Sequence, residues 1–95
     1  MKILTQDKNR IVGIKASFEI FIEKQEGSTE FDIVLTDSRP DYWVILGSYK
    51  DEQTAQNIIS DVFEDISEDE NYCIMPKETD YLSRLKLIQS LDSRG

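Results

Sequence analysis

Residues 51–70 read DEQTAQNIISDVFEDISEDE and hold the clearest helical period in the chain. Apolar side chains recur there three and four positions apart, the spacing that places side chains on one face of a helix. Asp51 precedes the first helical residue, and its carboxylate can accept a hydrogen bond from a backbone N–H of the first turn. The stretch therefore predicts an amphipathic helix whose buried stripe consists of Ala55, Ile58, Ile59, Val62, Phe63 and Ile66.

The segments before this helix have the pattern of strands. In residues 17–24 and 30–36, apolar side chains recur at every second position, a period that is typical of strands with one more apolar face. Residues 3–5 and 10–14 flank the turn-forming tetrapeptide QDKN, so they predict an amino-terminal hairpin. The run YWVILG at 42–47 is apolar on both faces, which predicts a central strand that is covered on both sides.

The residues after the helix complete the predicted fold. Residues 71–75 return as a strand that Pro76 ends, and Asp80 begins a second helix with a looser apolar stripe. We therefore predict an α+β fold in which an antiparallel meander of about five to six strands packs against the acidic helix, followed by the C-terminal helix. Residues 1–78 form the predicted core domain, and residues 79–95 form a helical extension that packs on this core or on a second copy.

Excess negative charge is confined to the first helical stretch. Residues 51–70 carry eight acidic side chains and no Lys or Arg, whereas the rest of the chain has equal numbers of acids and bases. The net charge of −8 disfavours direct binding to nucleic acid or to an anionic membrane and favours a basic protein partner. No apolar run is long enough to span a bilayer, and the amino terminus lacks the apolar core of a signal peptide, so we expect a cytoplasmic protein.

Residue types that carry much of enzymatic chemistry are missing from the sequence. It contains no His, which excludes imidazole metal ligands and nucleophiles that His activates. Its Gly residues are isolated, so no phosphate-binding loop is present, and the single Cys, Cys73, lies in an apolar run that predicts a buried thiol. Glu70 and Pro76 replace the Gly and the bidentate Glu that a calcium loop over residues 65–76 requires. We therefore predict no catalytic residue, no cofactor and no metal site.

The acidic face of the helix is the main candidate for a functional surface. With a helical rise of about 1.5 Å per residue, its acids approach one charge per roughly 3.6 Å, close to the spacing of about 3.4 Å between phosphates along one nucleic-acid strand. Solubility alone also explains an acidic face, so both interpretations stay open. The predicted partner-binding residues are Asp61, Glu64, Asp65, Glu68, Asp69 and Glu70.

A second candidate surface is aromatic. Tyr42 and Trp43 follow Pro40, and exposed Tyr and Trp side chains are frequent anchors of protein interfaces. Packing of Trp43 in the core is the alternative, and it is the one that we favour from the sequence. Tyr81 and Leu85 of the C-terminal helix are further interface candidates, because that helix can pair two copies of the chain into a homodimer.

Three segments resemble a group of short proteins from Gram-positive bacteria and from their phages and prophages. These segments are MKILTQDKNRIV at 1–12, VILGSYKDEQTAQNIISDVFEDI at 44–66 and NYCIMPKE at 71–78. Proteins of this group share an opening hairpin, a strand with an ILG-Tyr pattern, a helix and a strand that ends in Met-Pro. The likeness covers about residues 1–78, and this chain departs from it in the longer C-terminal helix that is predicted from Asp80 to Leu91.

This resemblance implies an origin in a mobile genetic element and a role without catalysis. Small acidic phage proteins often inhibit host nucleases or transcription machinery in stoichiometric complexes, and anti-CRISPR proteins that fill a nucleic-acid channel belong to this class. By this analogy we expect an anti-defence inhibitor and DNA mimic in the host-cell cytoplasm, whose acidic helix blocks a basic host protein such as a defence nuclease. The alternative is a ligand-binding module, for example a sponge for a nucleotide signal, or a self-assembling module.

Overall fold

The computed structural model describes residues 1–83, and in that part of the chain it has six strands and one long helix. The elements are β1 Lys2–Leu4, β2 Ile11–Gly13, β3 Phe18–Glu23, β4 Phe31–Asp37, β5 Trp43–Tyr49, α1 Glu52–Ser67 and β6 Tyr72–Ile74. Residues 78–83 are helical again, so the second helix starts two positions before the predicted Asp80. No helix in the described part combines the length and the apolar character that crossing a bilayer requires.

The strands form two three-stranded sheets, so the predicted single meander of five to six strands is wrong. One sheet has the order β2-β1-β6 and the other has the order β3-β4-β5. β6 pairs with β1 in parallel. Parallel strands need a long connection, which here includes the second sheet and α1. The α+β class and the amino-terminal hairpin of β1 and β2 are confirmed.

Gln6 lies where the two sheets meet, and it connects the segment after β1 to β5. Its backbone N–H donates to the Leu46 carbonyl at 2.8 Å, and its side-chain oxygen accepts from the Ser48 N–H at 2.8 Å. These bonds use polar groups of β5 on the side away from β4. Just beyond them the chain turns, because the Asp7 carboxylate accepts hydrogen bonds from the Thr5 hydroxyl at 2.7 Å and from a later N–H in the turn. β1 therefore ends at Leu4, just before this turn.

The core lies between α1 and the inner faces of the two sheets. Asp51 begins the helix as predicted, since its carboxylate accepts from the Thr54 N–H at 3.1 Å. Phe63 is 68% exposed, so its place in the predicted buried stripe is wrong. Successive residues of a helix differ by about 100° around the axis, and Phe63 lies beyond the buried Val62 at the edge of the stripe. The largest buried core side chains are Ile3, Ile33, Leu35, Leu46, Tyr49, Ile58 and Met75.

The central strand of the second sheet is β4, and the prediction that residues 42–47 form a central strand is wrong. β5 lies at one end of the order β3-β4-β5. Its inward side chains are buried, but Trp43 is 51% exposed and Ile45 is 39% exposed on the outer face. α1 packs on the inner face of this sheet, whereas Trp43 and Ile45 leave apolar surface exposed on the outer face. The favoured packing of Trp43 in the core is therefore also wrong.

Candidate functional site

The predicted partner-binding residues gather at the C-terminal end of α1 and in the turn that follows it. We call this group the acidic end. Helical spacing places Asp61, Glu64 and Glu68 on one side of the helix axis. All members except the partly buried Asp65 are exposed. The acidic end consists of Asp61, Glu64, Asp65, Glu68, Asp69 and Glu70.

A hydrogen-bonded turn ends α1 and orders the acids that follow the helix. The Asp69 N–H donates to the Ile66 carbonyl at 3.1 Å, and the Glu70 N–H donates to the Asp65 carbonyl at 3.0 Å. These two bonds form a Schellman C-cap. Asp69 has a φ of 58°, the left-handed conformation that Gly usually takes at this position. The acids after the last helical residue therefore belong to a defined turn.

The acidic end lies where negative charge is unfavourable for the helix. Unpaired carbonyls give a helix C-terminus a partial negative charge, and each acid in the last turn destabilises the helix by about 0.3 to 1 kcal/mol at low salt. The last turn of α1 contains no basic residue. Within residues 1–83, no Lys or Arg lies within salt-bridge distance of Glu64, Glu68 or Glu70. The described part of the chain thus holds these like charges together without a compensating cation.

Asp65 differs from its neighbours because it contacts the buried Cys73. Cys73 is 7% exposed, and its thiol donates a hydrogen bond to the Asp65 carboxylate. Burial, followed by this hydrogen bond and by the charges of Asp65 and Asp61, raises the pKa of Cys73 to about 12. The thiol therefore stays protonated at neutral pH, and the predicted burial of Cys73 is confirmed. Across residues 1–83, no three His, Cys, Asp or Glu side chains are grouped so that they could hold a metal ion.

The turn between β4 and β5 brings Arg39 onto the ring of Tyr42. The Tyr42 N–H donates to the Arg39 carbonyl at 3.3 Å, and Asp41, the third residue of this turn, has a φ of 56°. A type II turn requires this positive φ, and it holds the first and fourth residues close together. The guanidinium carbon of Arg39 consequently lies 3.6 Å from the centroid of the Tyr42 ring, within the range of a cation–π contact.

Asp37 binds the edge of the same guanidinium group. Arg39 Nε donates to the two Asp37 carboxylate oxygens at 3.0 and 2.9 Å, and the Arg39 Nη2 group also pairs with Oδ2. These hydrogen bonds lower the pKa of Asp37 and raise the pKa of Arg39. An open groove of about 590 Å³, which we call the aromatic groove, adjoins the pair. Phe21, Tyr42 and Trp43 line it together with the acids Glu23, Asp37 and Asp41. The structure therefore places the predicted aromatic pair at an exposed groove beside the ion pair of Arg39 and Asp37.

The interface candidates in the C-terminal helix have different outcomes. Tyr81 is 9% exposed and packs with the core cluster, so its ring is covered within one copy of the chain. Leu85 lies outside the described residues. The proposed homodimer through this helix therefore stays a prediction.

An apolar cleft beside β3 was missed in the sequence. Six side chains from β3 and α1 line a cleft of about 220 Å³. Phe63 is 68% exposed and Phe18 is 36% exposed at this cleft. A signal was present, because Phe63 lies at the edge of the apolar helical stripe rather than at its centre. The lining residues are Phe18, Ile20, Ile59, Val62, Phe63 and Ile66.

The comparisons with known proteins do not extend this description. No protein-family model matches the chain, no curated protein matches it, and no solved structure matches its fold. The resemblance to short phage and Gram-positive proteins therefore stays a prediction. The candidate surfaces are the acidic end, the aromatic groove and the cleft beside β3.

Proposed function

We propose that this chain is a non-enzymatic inhibitor whose acidic end binds the basic nucleic-acid-binding surface of another protein. The position of the acids supports this proposal. Acids that serve only solubility would be tolerated best near a helix N-terminus, where Glu52 already lies. Glu64, Glu68 and Glu70 lie at the opposite end of the helix, where no Lys or Arg of residues 1–83 pairs with them, and a partner that supplies Lys and Arg would compensate their charges on binding.

The mechanism that we propose is competition with phosphates. Exposed carboxylates of Glu64, Glu68 and Glu70 would occupy positions that nucleic-acid phosphates otherwise take on a basic surface. The net charge of −8 would increase the rate of encounter with such a surface and would make that rate fall with ionic strength. The resemblance over residues 1–78 supports a phage origin and an anti-CRISPR-like, anti-defence role in the host-cell cytoplasm. We therefore infer that the partner is a defence nuclease, which has a basic nucleic-acid-binding surface and is a target for an anti-defence protein.

Charge removal at matched positions tests this proposal. The Glu64→Gln/Glu68→Gln variant changes the acidic end, and the control Glu26→Gln/Glu52→Gln removes the same charge from exposed positions elsewhere. Asp61 and Asp65 stay unchanged, because both raise the pKa of the buried Cys73 and their replacement would also alter that side chain. Each protein is immobilised and exposed to a Gram-positive lysate, and any captured protein is purified and assayed for nucleic-acid binding by mobility shift.

We expect the wild type and the control to displace nucleic acid from the captured protein. The acidic-end variant should need about tenfold more protein for the same displacement, since two charge pairs at an interface are worth at least about 1.4 kcal/mol together. Displacement should also weaken as salt is raised. Equal displacement by all three proteins would contradict the proposal, as would a partner that binds no nucleic acid.

A ligand-binding module is the second candidate, and the aromatic groove favours it. A planar base could stack on the half-exposed Trp43, beside the guanidinium of Arg39 that Asp37 already binds. Trp43 is the only Trp in the chain, so its fluorescence reports directly on stacking. We expect cyclic dinucleotides to quench this fluorescence if the chain is a sponge for a nucleotide signal. Quenching by every nucleotide with the same millimolar affinity would count against a specific site.

A further inference from the structure

We propose that the outer edge of β3 is a second binding site, which accepts an extended segment of a partner protein with alternating apolar and basic side chains. β3 has six residues and lies at one end of the order β3-β4-β5. Within residues 1–83, no other segment forms backbone hydrogen bonds with its outer edge. Such an edge offers N–H and C=O groups that pair with a strand from another chain.

The apolar cleft lies along this edge and explains the apolar half of the partner pattern. Its lining comes from β3 and α1 alone, so it follows the outermost strand of the sheet. Side chains of a strand point alternately to the two faces of a sheet. Every second side chain of an added strand would therefore point toward the cleft, where Phe18 and the largely exposed Phe63 leave apolar surface uncovered. Aliphatic side chains fit this lining, because all six residues are apolar.

The opposite face of β3 explains the basic half of the pattern. Glu19 and Glu23 lie on that face on either side of Phe21, and both are exposed. In the part of the chain that the structure describes, neither forms a salt bridge. The paired strand β4 supplies no cation, since Glu23 lies opposite Asp32. Side chains opposite each other on neighbouring strands have Cβ atoms about 4.5 to 5.5 Å apart, so Lys or Arg on an added strand would compensate these acids.

Charge also decides against a second copy of this chain as the occupant. A second β3 would bring its own two Glu side chains beside Glu19 and Glu23. It would also combine two chains that each carry a net charge of −8. A basic strand relieves the repulsion that a second copy would increase. This site is separate from the acidic end, so the inference does not rest on the proposed inhibition of a nucleic-acid-binding protein.

The experiment is an NMR titration of the full 95-residue chain with a peptide as long as β3 that alternates Val and Lys. Two control peptides separate the contributions. One replaces every Lys with Glu, and the other keeps Val and Lys but carries N-methylated amides that cannot pair with a strand. We expect the Val-Lys peptide alone to bind, with amide shifts concentrated in β3 and around Phe63.

Variants of exposed residues identify the surface that is bound. Glu19→Gln/Glu23→Gln and Phe63→Gln should each weaken binding about fivefold, because each removes one half of the recognition pattern. Glu64→Gln/Glu68→Gln, which removes the same charge from the acidic end, should change binding by less than about twofold. The spectrum of each variant without peptide shows that it is folded, so weaker binding reports on the site.

Several outcomes would overturn the inference. Equal binding of the N-methylated peptide would exclude strand pairing, and equal binding of the Val-Glu peptide would exclude recognition by charge. Shifts that concentrate at Glu64 and Glu68, together with weaker binding of the variant at those positions, would assign the peptide to the acidic end. A wild-type dimer whose contacts map to β3 would show that a second copy occupies the edge.

Discussion

Replacing Glu64 and Glu68 with Gln is expected to raise the free energy of unfolding of the isolated protein, although it removes charges that we propose a partner binds. Both side chains are exposed near the C-terminus of α1. Each carboxylate there destabilises the helix by about 0.3 to 1 kcal/mol, and the repulsion between residues four positions apart adds about 0.2 to 0.5 kcal/mol. Allowing for the exposure of both groups, we expect a gain of about 1 kcal/mol, or roughly 4 to 8 °C in Tm for a domain of this size.

Thermal unfolding followed by circular dichroism measures this effect. Glu52→Gln is the matched control, because Glu52 lies in the first turn of the same helix, where a negative charge is favourable. The control should lower Tm while the double variant raises it. Both differences should shrink in 1 M salt, where the Debye length falls to about 3 Å.

A lower or unchanged Tm for Glu64→Gln/Glu68→Gln at low salt would refute this reasoning. It would mean that the folded chain already compensates these charges. The argument for a partner from the position of the acids would then fail as well. A rise in Tm with salt that is equal for wild type and double variant would lead to the same conclusion.

Three further substitutions test the packing that supports these surfaces. Tyr49→Phe should lower the free energy of unfolding by about 1 to 2 kcal/mol, measured by urea unfolding. The buried Tyr49 hydroxyl donates to the Pro76 carbonyl at 2.7 Å, and removing the hydroxyl leaves that oxygen unpaired. An unchanged midpoint would show that water replaces the bond. Gly47→Ala should lower the free energy of unfolding by about 1 to 3 kcal/mol, since the added Cβ would lie 2.9 Å from the Tyr49 hydroxyl. The loss should be smaller in a Tyr49→Phe background, which lacks that hydroxyl. Asp7→Ala should destabilise the protein at neutral pH. The hydrogen bond from Thr5 lowers the pKa of Asp7 below 3.8, so the stability that the ionised carboxylate contributes is full above that pH and is lost as the pH falls through the lowered pKa. The difference between wild type and variant in urea unfolding should therefore shrink in acid, and a difference that does not shrink would contradict this linkage.

Local features of the sequence predicted α1 and the amino-terminal hairpin. The period of the apolar residues and the cap at Asp51 each depend on residues only a few positions apart in sequence, so they can be recognised without knowledge of the fold. Pairing between strands depends on contacts that are distant in sequence. Nothing near Gln6 indicates that it will hydrogen-bond to Leu46 and Ser48 and thereby connect the end of the first hairpin to the second sheet.

The candidate surfaces also differ in whether they depend on residues near in sequence or on distant contacts. The acidic end was predictable because its residues are neighbours in sequence and on one helix. The stack of Arg39 on Tyr42 depends on the left-handed conformation of Asp41, which a Pro-Asp pair only suggests. The cleft beside β3 was only partly predictable. The position of Phe63 at the edge of the helical stripe was a signal, but alternation of apolar residues shows which face is buried and not which strand lies at the edge.

The parallel pairing of β1 with β6 has a consequence for how the chain folds during synthesis. Lys2 pairs with Tyr72 and Leu4 pairs with Ile74, so β1 waits until β6, the last described strand, has been synthesised. At about 5 to 20 residues per second, this delay lasts several seconds. The β3-β4-β5 sheet, whose strands follow one another along the chain, can form earlier. The first sheet is then completed late, and the edge of β1 stays open to other strands until β6 arrives.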